Sequence, residues 1–143
     1  MVVTYLRQEL PASPHLISQL EQRLGQSLPP SYHNYLLEQD GGRLDNNHEA
    51  VKDIFGLSNV PGSASMWRIL DTYHNRVPAW LLPVARDEYG NLFAISLRSE
   101  DLGSVWFWDH EEEADEGEPP TEDNIERKAS DWLSFLDSLQ PLQ

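Results

Sequence analysis

The chain has 143 residues, no cysteine, 39% hydrophobic and 24% charged residues, and a formal net charge of −14. That length fits one domain over 1–143, able to bury about two-thirds of its unfolded surface. Lack of cysteine removes disulfides and thiolate chemistry, and the negative field argues against nucleic acid or anionic membranes as partners.

Met1 to Pro11 reads as a loosely held lead-in. It has no basic leader, and no window in the chain approaches the roughly 20 apolar residues of a membrane helix, so a cytoplasmic protein is expected. Ser13-Pro14 supplies a helix cap followed by proline at the first helical position. Leu16, Ile17, Leu20 and Leu24 follow at helical spacing, and Gly25 closes that helix. Leu28-Pro29-Pro30 restarts the chain. Tyr32, Tyr35 and Leu36 mark a second helix to about Gln39, stopped by Gly41-Gly42.

Arg43 to Val51 is polar and fits a short strand into a loop. Ile54 to Leu57 reads as another strand. Ser63 to Tyr73 reads as a third helix with Met66, Trp67, Leu70 and Tyr73 on one side. Val77 to Trp80 is an extended approach to the central segment. Ile125 to Ala129 fits an edge strand. Ser130 then caps a last helix striped by Trp132, Phe135, Leu136 and Leu139.

The centre is Leu82 to His110. Leu82–Ala85, Leu92–Leu97 and Val105–Trp108 are strand-length apolar runs, separated by Asp87-Glu88-Tyr89-Gly90 and by Ser99 to Gly103. They predict a three-stranded antiparallel meander. Phe93, Ile95 and Leu97 share one face of the second strand, with Leu92 and Ala94 on the other. Trp106, Trp108 and His110 share a face of the third. With both faces apolar, either helices cover both, or one face presents aromatics to a partner. Burial of tryptophan favours the first reading. The enrichment of tryptophan at binding hot spots supports the second.

Ten Lys and Arg face 24 Asp and Glu. Ten of the acids lie between Asp109 and Glu126 with no Lys or Arg among them, so this segment supplies −10 and the rest −4. A solvated loop at about 110–123 that aids solubility and a loop that binds a basic partner explain this equally well.

No nucleophile elbow or phosphate loop is present. His110-Glu111 begins like a zinc-protease H-E-x-x-H, but Ala114 takes the second histidine's place. The same alanine stands where an EF-hand loop from Asp109 would need glycine. His15, His33, His48 and His74 lie in helices or polar loops, where solvated histidine is the default. No catalytic residue, metal ligand or cofactor is expected.

Four groups of residues carry a family likeness. They are Leu24-Gly25 with Leu28-Pro29, Tyr32, Leu36 and Gly41-Gly42; Leu82 to Ala85 with Gly90-Asn91 and Phe93 to Leu97; Val105 to His110; and Ala129-Ser130 to Leu139, with Trp132 where Phe is usual. In this order and spacing the chain resembles the SUKH superfamily, in particular its Smi/Knr-like branch. The resemblance implies an α+β fold, a mostly antiparallel sheet packed with helices, of which the periodicity above supplies about four. It also implies a non-enzymatic protein-binding role, most often as a bacterial immunity protein that neutralises a cognate nuclease or deaminase toxin. An intracellular regulatory adaptor of the cell-wall-regulator type is the alternative within the family. A hydrolase using carboxylates near Asp109 is the alternative from another class. The expected contact residues are Trp106, Trp108 and Tyr89 as anchors, with Asp109, His110, Glu111, Glu112, Glu113, Asp115 and Glu116 steering a basic toxin domain.

Overall fold

A computed structural model describes residues 3–142. Seven strands among them form one antiparallel sheet whose spatial order is their order in sequence. They are β1 (Tyr5–Gln8), β2 (Gly42–Leu44), β3 (Val51–Ile54), β4 (Leu81–Asp87), β5 (Leu92–Ser96), β6 (Val105–Trp108) and β7 (Ile125–Ala129). The helices are α1 (Pro14–Leu24), α2 (Pro30–Glu38), α3 (Met66–Thr72) and α4 (Trp132–Ser138). The fold is α+β, as the family resemblance implies.

The three-stranded meander is β4–β5–β6, at the middle of this larger one. Its first turn is built by Asp87. One carboxylate oxygen accepts the Tyr89 and Asn91 amides at 2.8 and 2.9 Å, and the other accepts Asn91 Nδ2 at 2.9 Å. Gly90 closes the turn at φ +90°, and a Cβ there would lie 3.3 Å from His110 Nε2. Gly90→Val is therefore expected to cost about 1–3 kcal/mol, through a left-handed backbone and a displaced His110. A denaturation midpoint equal to wild type would refute this account of the turn.

Both faces of β5 are buried. Phe93 pairs across the sheet with Phe107 and meets Phe135 of α4, ring centres 5.1 Å apart. On the other face Leu92 pairs with Trp108, which packs edge-on against Tyr73 at 5.7 Å. Of the two readings of the sheet, coverage of both faces is the one found at Trp108.

The helices follow their caps. Ser13 Oγ accepts the His15 amide, and Gly25 ends α1 at φ 76°. Ile17 and Leu20 are buried, as are Tyr32, Tyr35 and Leu36 of α2. Asp131 caps α4 in place of the expected Ser130, its carboxylate accepting the Ser134 amide at 2.9 Å. The α4 stripe faces α2, with Trp132 edge-on to Tyr32 and Tyr35 at 6.2 and 5.8 Å. Leu139 is buried but lies just past the helix end. The third helix is shorter than expected. A 3-10 turn at Gly62–Ala64 precedes α3, whose buried residues are Met66 and Ile69.

Two expectations are corrected. The lead-in contains β1, an edge strand paired with β2. The third strand lies earlier than Ile54 to Leu57, ending at Ile54. Phe55 and Leu57 are buried in a loop instead. That loop is held by Asp40, a fully buried carboxylate that accepts the amides of Leu57, Ser58 and Asn59 at 2.6, 2.8 and 2.8 Å. At the β1 end of the sheet, Arg7, Arg43, Asp53 and Arg86 are successive cross-strand neighbours. Burial pushes the Asp53 carboxyl up, but hydrogen bonds from Arg43 and Arg86 outweigh it and hold its pKa below the usual carboxylate value.

Candidate protein-binding surface

The acidic segment begins where β6 ends. Asp109 and Asn124 close its neck: the Asp109 amide donates to the Asn124 carbonyl at 3.0 Å, and Asn124 Nδ2 donates to the Asp109 carbonyl at 2.9 Å. Asp109 then caps a 3-10 turn over His110–Glu112, its carboxylate accepting the Glu111 amide. His110 ties that turn to the β4–β5 turn. Its amide donates to Asn91 Oδ1 at 3.0 Å, and its Nε2 donates to the Tyr89 carbonyl at 2.8 Å. These bonds keep Tyr89, 69% exposed, beside the root of the acidic segment.

Further along, Arg76 forks Glu113 with contacts of 3.2 and 2.9 Å, while its guanidinium lies 4.6 Å from the centre of the Tyr73 ring. Trp80 Nε1 donates to Glu122 at 3.3 Å. The segment is therefore largely solvated, as one of the two readings expected, and is also held at its neck and at two further points. Glu111, Glu112, Asp115 and Glu116 remain exposed. Between this wall and His74–Arg76 opens a cleft of about 910 Å³, lined by His110, Glu111, Glu113, Asp115, Glu116 and Glu118.

The expected anchors separate. Tyr89 is exposed and Trp106 is half-buried. Trp108 is 0% exposed, covered by Tyr73, and is a core residue unable to reach a partner in this arrangement. Trp80, which the sequence placed only in an extended approach to the central segment, is half-buried beside Trp106. Trp80 packs edge-on against Trp106 at 5.4 Å, and Arg98 stacks 3.5 Å above its ring centre. Arg98 in turn forks Asp101. The clue in the sequence was a tryptophan inside a Pro-Ala-Trp turn just before the central strands.

The exposed carboxylates give this surface a negative field, with Tyr89 and the Trp80–Trp106 pair as its aromatic groups. No group of three or more His, Asp or Glu side chains among the described residues is placed to hold a metal ion. No helix among them is long and apolar enough to cross a membrane.

An antiparallel sheet with helices packed on it, running in this order, defines the class. The chain belongs to the SMI1 / KNR4 family (SUKH-1), whose family model matches residues 11–138. It is similar to the SPbeta prophage-derived uncharacterized protein YokK of Bacillus subtilis (strain 168), 24% identical over 121 residues. That match covers 66% of this chain, which spans 60% of the relative's length.

Proposed function

We propose that this protein is an immunity protein: a non-enzymatic cytoplasmic domain that binds a cognate toxin domain, of nuclease or deaminase type, and covers its basic substrate-binding surface. The observation that carries this reading is the pinned acidic wall. Ten acids without a Lys or Arg lie between Asp109 and Glu126, bonds to Asn124, Arg76 and Trp80 hold the segment that carries most of them, and five of them line one cleft. A pre-organised wall loses less entropy on docking than a free loop. Family membership and likeness to a prophage-derived protein support the same reading.

The test starts from the reading frame next to this one in its genome. The expected result is that the neighbouring product stops growth when expressed alone, that co-expression of this chain restores growth, and that the two proteins co-purify as one complex. A harmless neighbour, or a toxic one that this chain neither rescues nor binds, overturns the proposal.

Within such a complex the acids govern encounter more than stability. Glu111, Glu112 and Glu113 changed together to Gln should slow association several-fold at low salt, and the difference should fade as the screening length falls below about 10 Å. Folded stability should change little, because Glu111 and Glu112 are exposed and a surface ion pair such as Arg76–Glu113 contributes only about 0–1 kcal/mol. The readout is the association rate over a salt series. Glu113→Gln alone separates the loss of the Arg76 fork from the loss of field. Equal rates at low salt would leave the acids a solubilising role only.

A further inference from the structure

We propose that the basic partner inserts one apolar side chain into a slot beside the acidic cleft, and that this slot anchors the interface. The proposal rests on the reading of the chain as a binder of a basic protein surface and names where such a partner is gripped.

The slot has a volume of about 200 Å³ and lies between the C-terminal end of α1, the helix α3 and the segment leading into β4. Val77, Pro78 and Leu82 are its buried floor, and Leu24, Leu70 and Leu97 its half-buried walls. An apolar cavity of about 150 Å³ holds a benzene ring, so this one admits a leucine or phenylalanine side chain. It shares His74, Asn75 and Pro120 with the 910 Å³ acidic cleft, so the two cavities adjoin. Pro120 belongs to the acidic segment itself, which therefore walls both.

Charge selects the occupant. The cations flanking the slot are already matched within the chain: Arg23 by Asp71 at 2.6 Å, Arg76 by Glu113 at 2.9 Å, and Arg98 by Asp101. Asp115, Glu116 and Glu118 line the adjoining cleft and make no ion pair among the described residues. The unmatched charge around the slot is negative. An apolar residue flanked by Lys or Arg satisfies the slot and the cleft together, whereas a fatty acid or an acidic amphipathic helix would bring like charge to the wall. Interfaces place their energy in such desolvated central pockets and leave the charged rim to set rate and register.

The probe is a synthetic peptide, Lys-Lys-Gly-Leu-Gly-Lys-Lys with blocked ends, titrated into the ¹⁵N-labelled full chain. It should shift the amides of Leu70, Ala79, Leu97 and Glu118 together and saturably. Replacing its leucine by alanine should weaken binding about tenfold, the cost of losing one buried aliphatic side chain. Replacing its lysines by glutamates should abolish binding. Ala79→Phe, which fills the slot from an exposed position on its lip, should remove the response at an unchanged melting temperature; Ala79→Leu serves if the larger ring disturbs the turn. Shifts confined to residues 109–123 and equal for the leucine and alanine peptides overturn the slot, as does an equal response to the acidic peptide or no response. In the second arm, the neighbouring toxin should bind Ala79→Phe at least about tenfold more weakly than wild type. A toxin that binds both alike overturns the slot and leaves the immunity reading standing. A neighbour that does not bind wild type overturns the immunity reading, whatever the peptides do.

Discussion

Trp132→Ala is expected to destabilise the protein by about 3–5 kcal/mol. Trp132 is 0% exposed and touches Tyr32, Tyr35 and Phe135, so alanine leaves a void bounded by three rings. A helix of seven residues has almost no stability of its own, and α4 depends on this packing to exist. The loss should show as a lower urea midpoint with little change in slope. Trp132→Phe should cost distinctly less, because phenylalanine keeps much of the ring packing and the indole Nε1 has no protein hydrogen-bond partner among the described residues. An unchanged midpoint for the alanine variant would show that α4 is not part of the core.

Asp40→Ala should also be damaging, at about 2–3 kcal/mol. Its carboxylate is the hydrogen-bond partner of three consecutive amides, those of Leu57, Ser58 and Asn59. Removing it strands the buried Leu57 amide, at about 1–3 kcal/mol, and releases the amides of Ser58 and Asn59, two exposed residues, to solvent. The loop cannot readily move away. A Cβ on Gly56 would stand 2.2 Å from the Asp40 carbonyl oxygen, so the two backbones are already in close approach. Asp40→Asn keeps one acceptor oxygen and should fall between wild type and alanine. Hydrogen exchange at Leu57 to Asn59 reads the effect directly. If those amides stay protected in Asp40→Ala, the carboxylate is not what holds the loop.

The parts of this fold legible in the sequence are those whose cause is local. β4, β5 and β6 are apolar runs bounded by Asp-Gly turn chemistry, and α1 carries both its caps. β1 escaped because its alternation is misleading: Leu6 is 64% exposed, while Arg7 points into a row of charged neighbours. Phe55 and Leu57 looked like strand because they are apolar and buried. The Phe55 amide bonds the Val84 carbonyl of β4, and the Leu57 amide is satisfied by a side chain seventeen positions earlier, which no pattern in the run itself records. The same holds at the surface. Where the charge sits is plain in the sequence. What pins it is not, because Arg76 and Trp80 lie 37 and 42 residues before the acids they hold. Trp106 and Trp108 share a face by strand periodicity, yet only a third element, α3 with Tyr73, decides that one is covered and the other half open.

The seam between α2 and α4 has a consequence for how the chain matures on the ribosome. The strands are neighbours in order, so each hairpin can form soon after its second strand emerges. The rings of Tyr32 and Tyr35 must wait for Trp132, and the Ser31 hydroxyl waits about a hundred residues for Asp131 and Leu133. At about 5–20 residues per second, that leaves this apolar patch uncovered for roughly 5–20 seconds of synthesis. Until α4 is made, a nascent chain therefore leaves the α2 face uncovered, together with the Phe93 face of β5 that Phe135 covers.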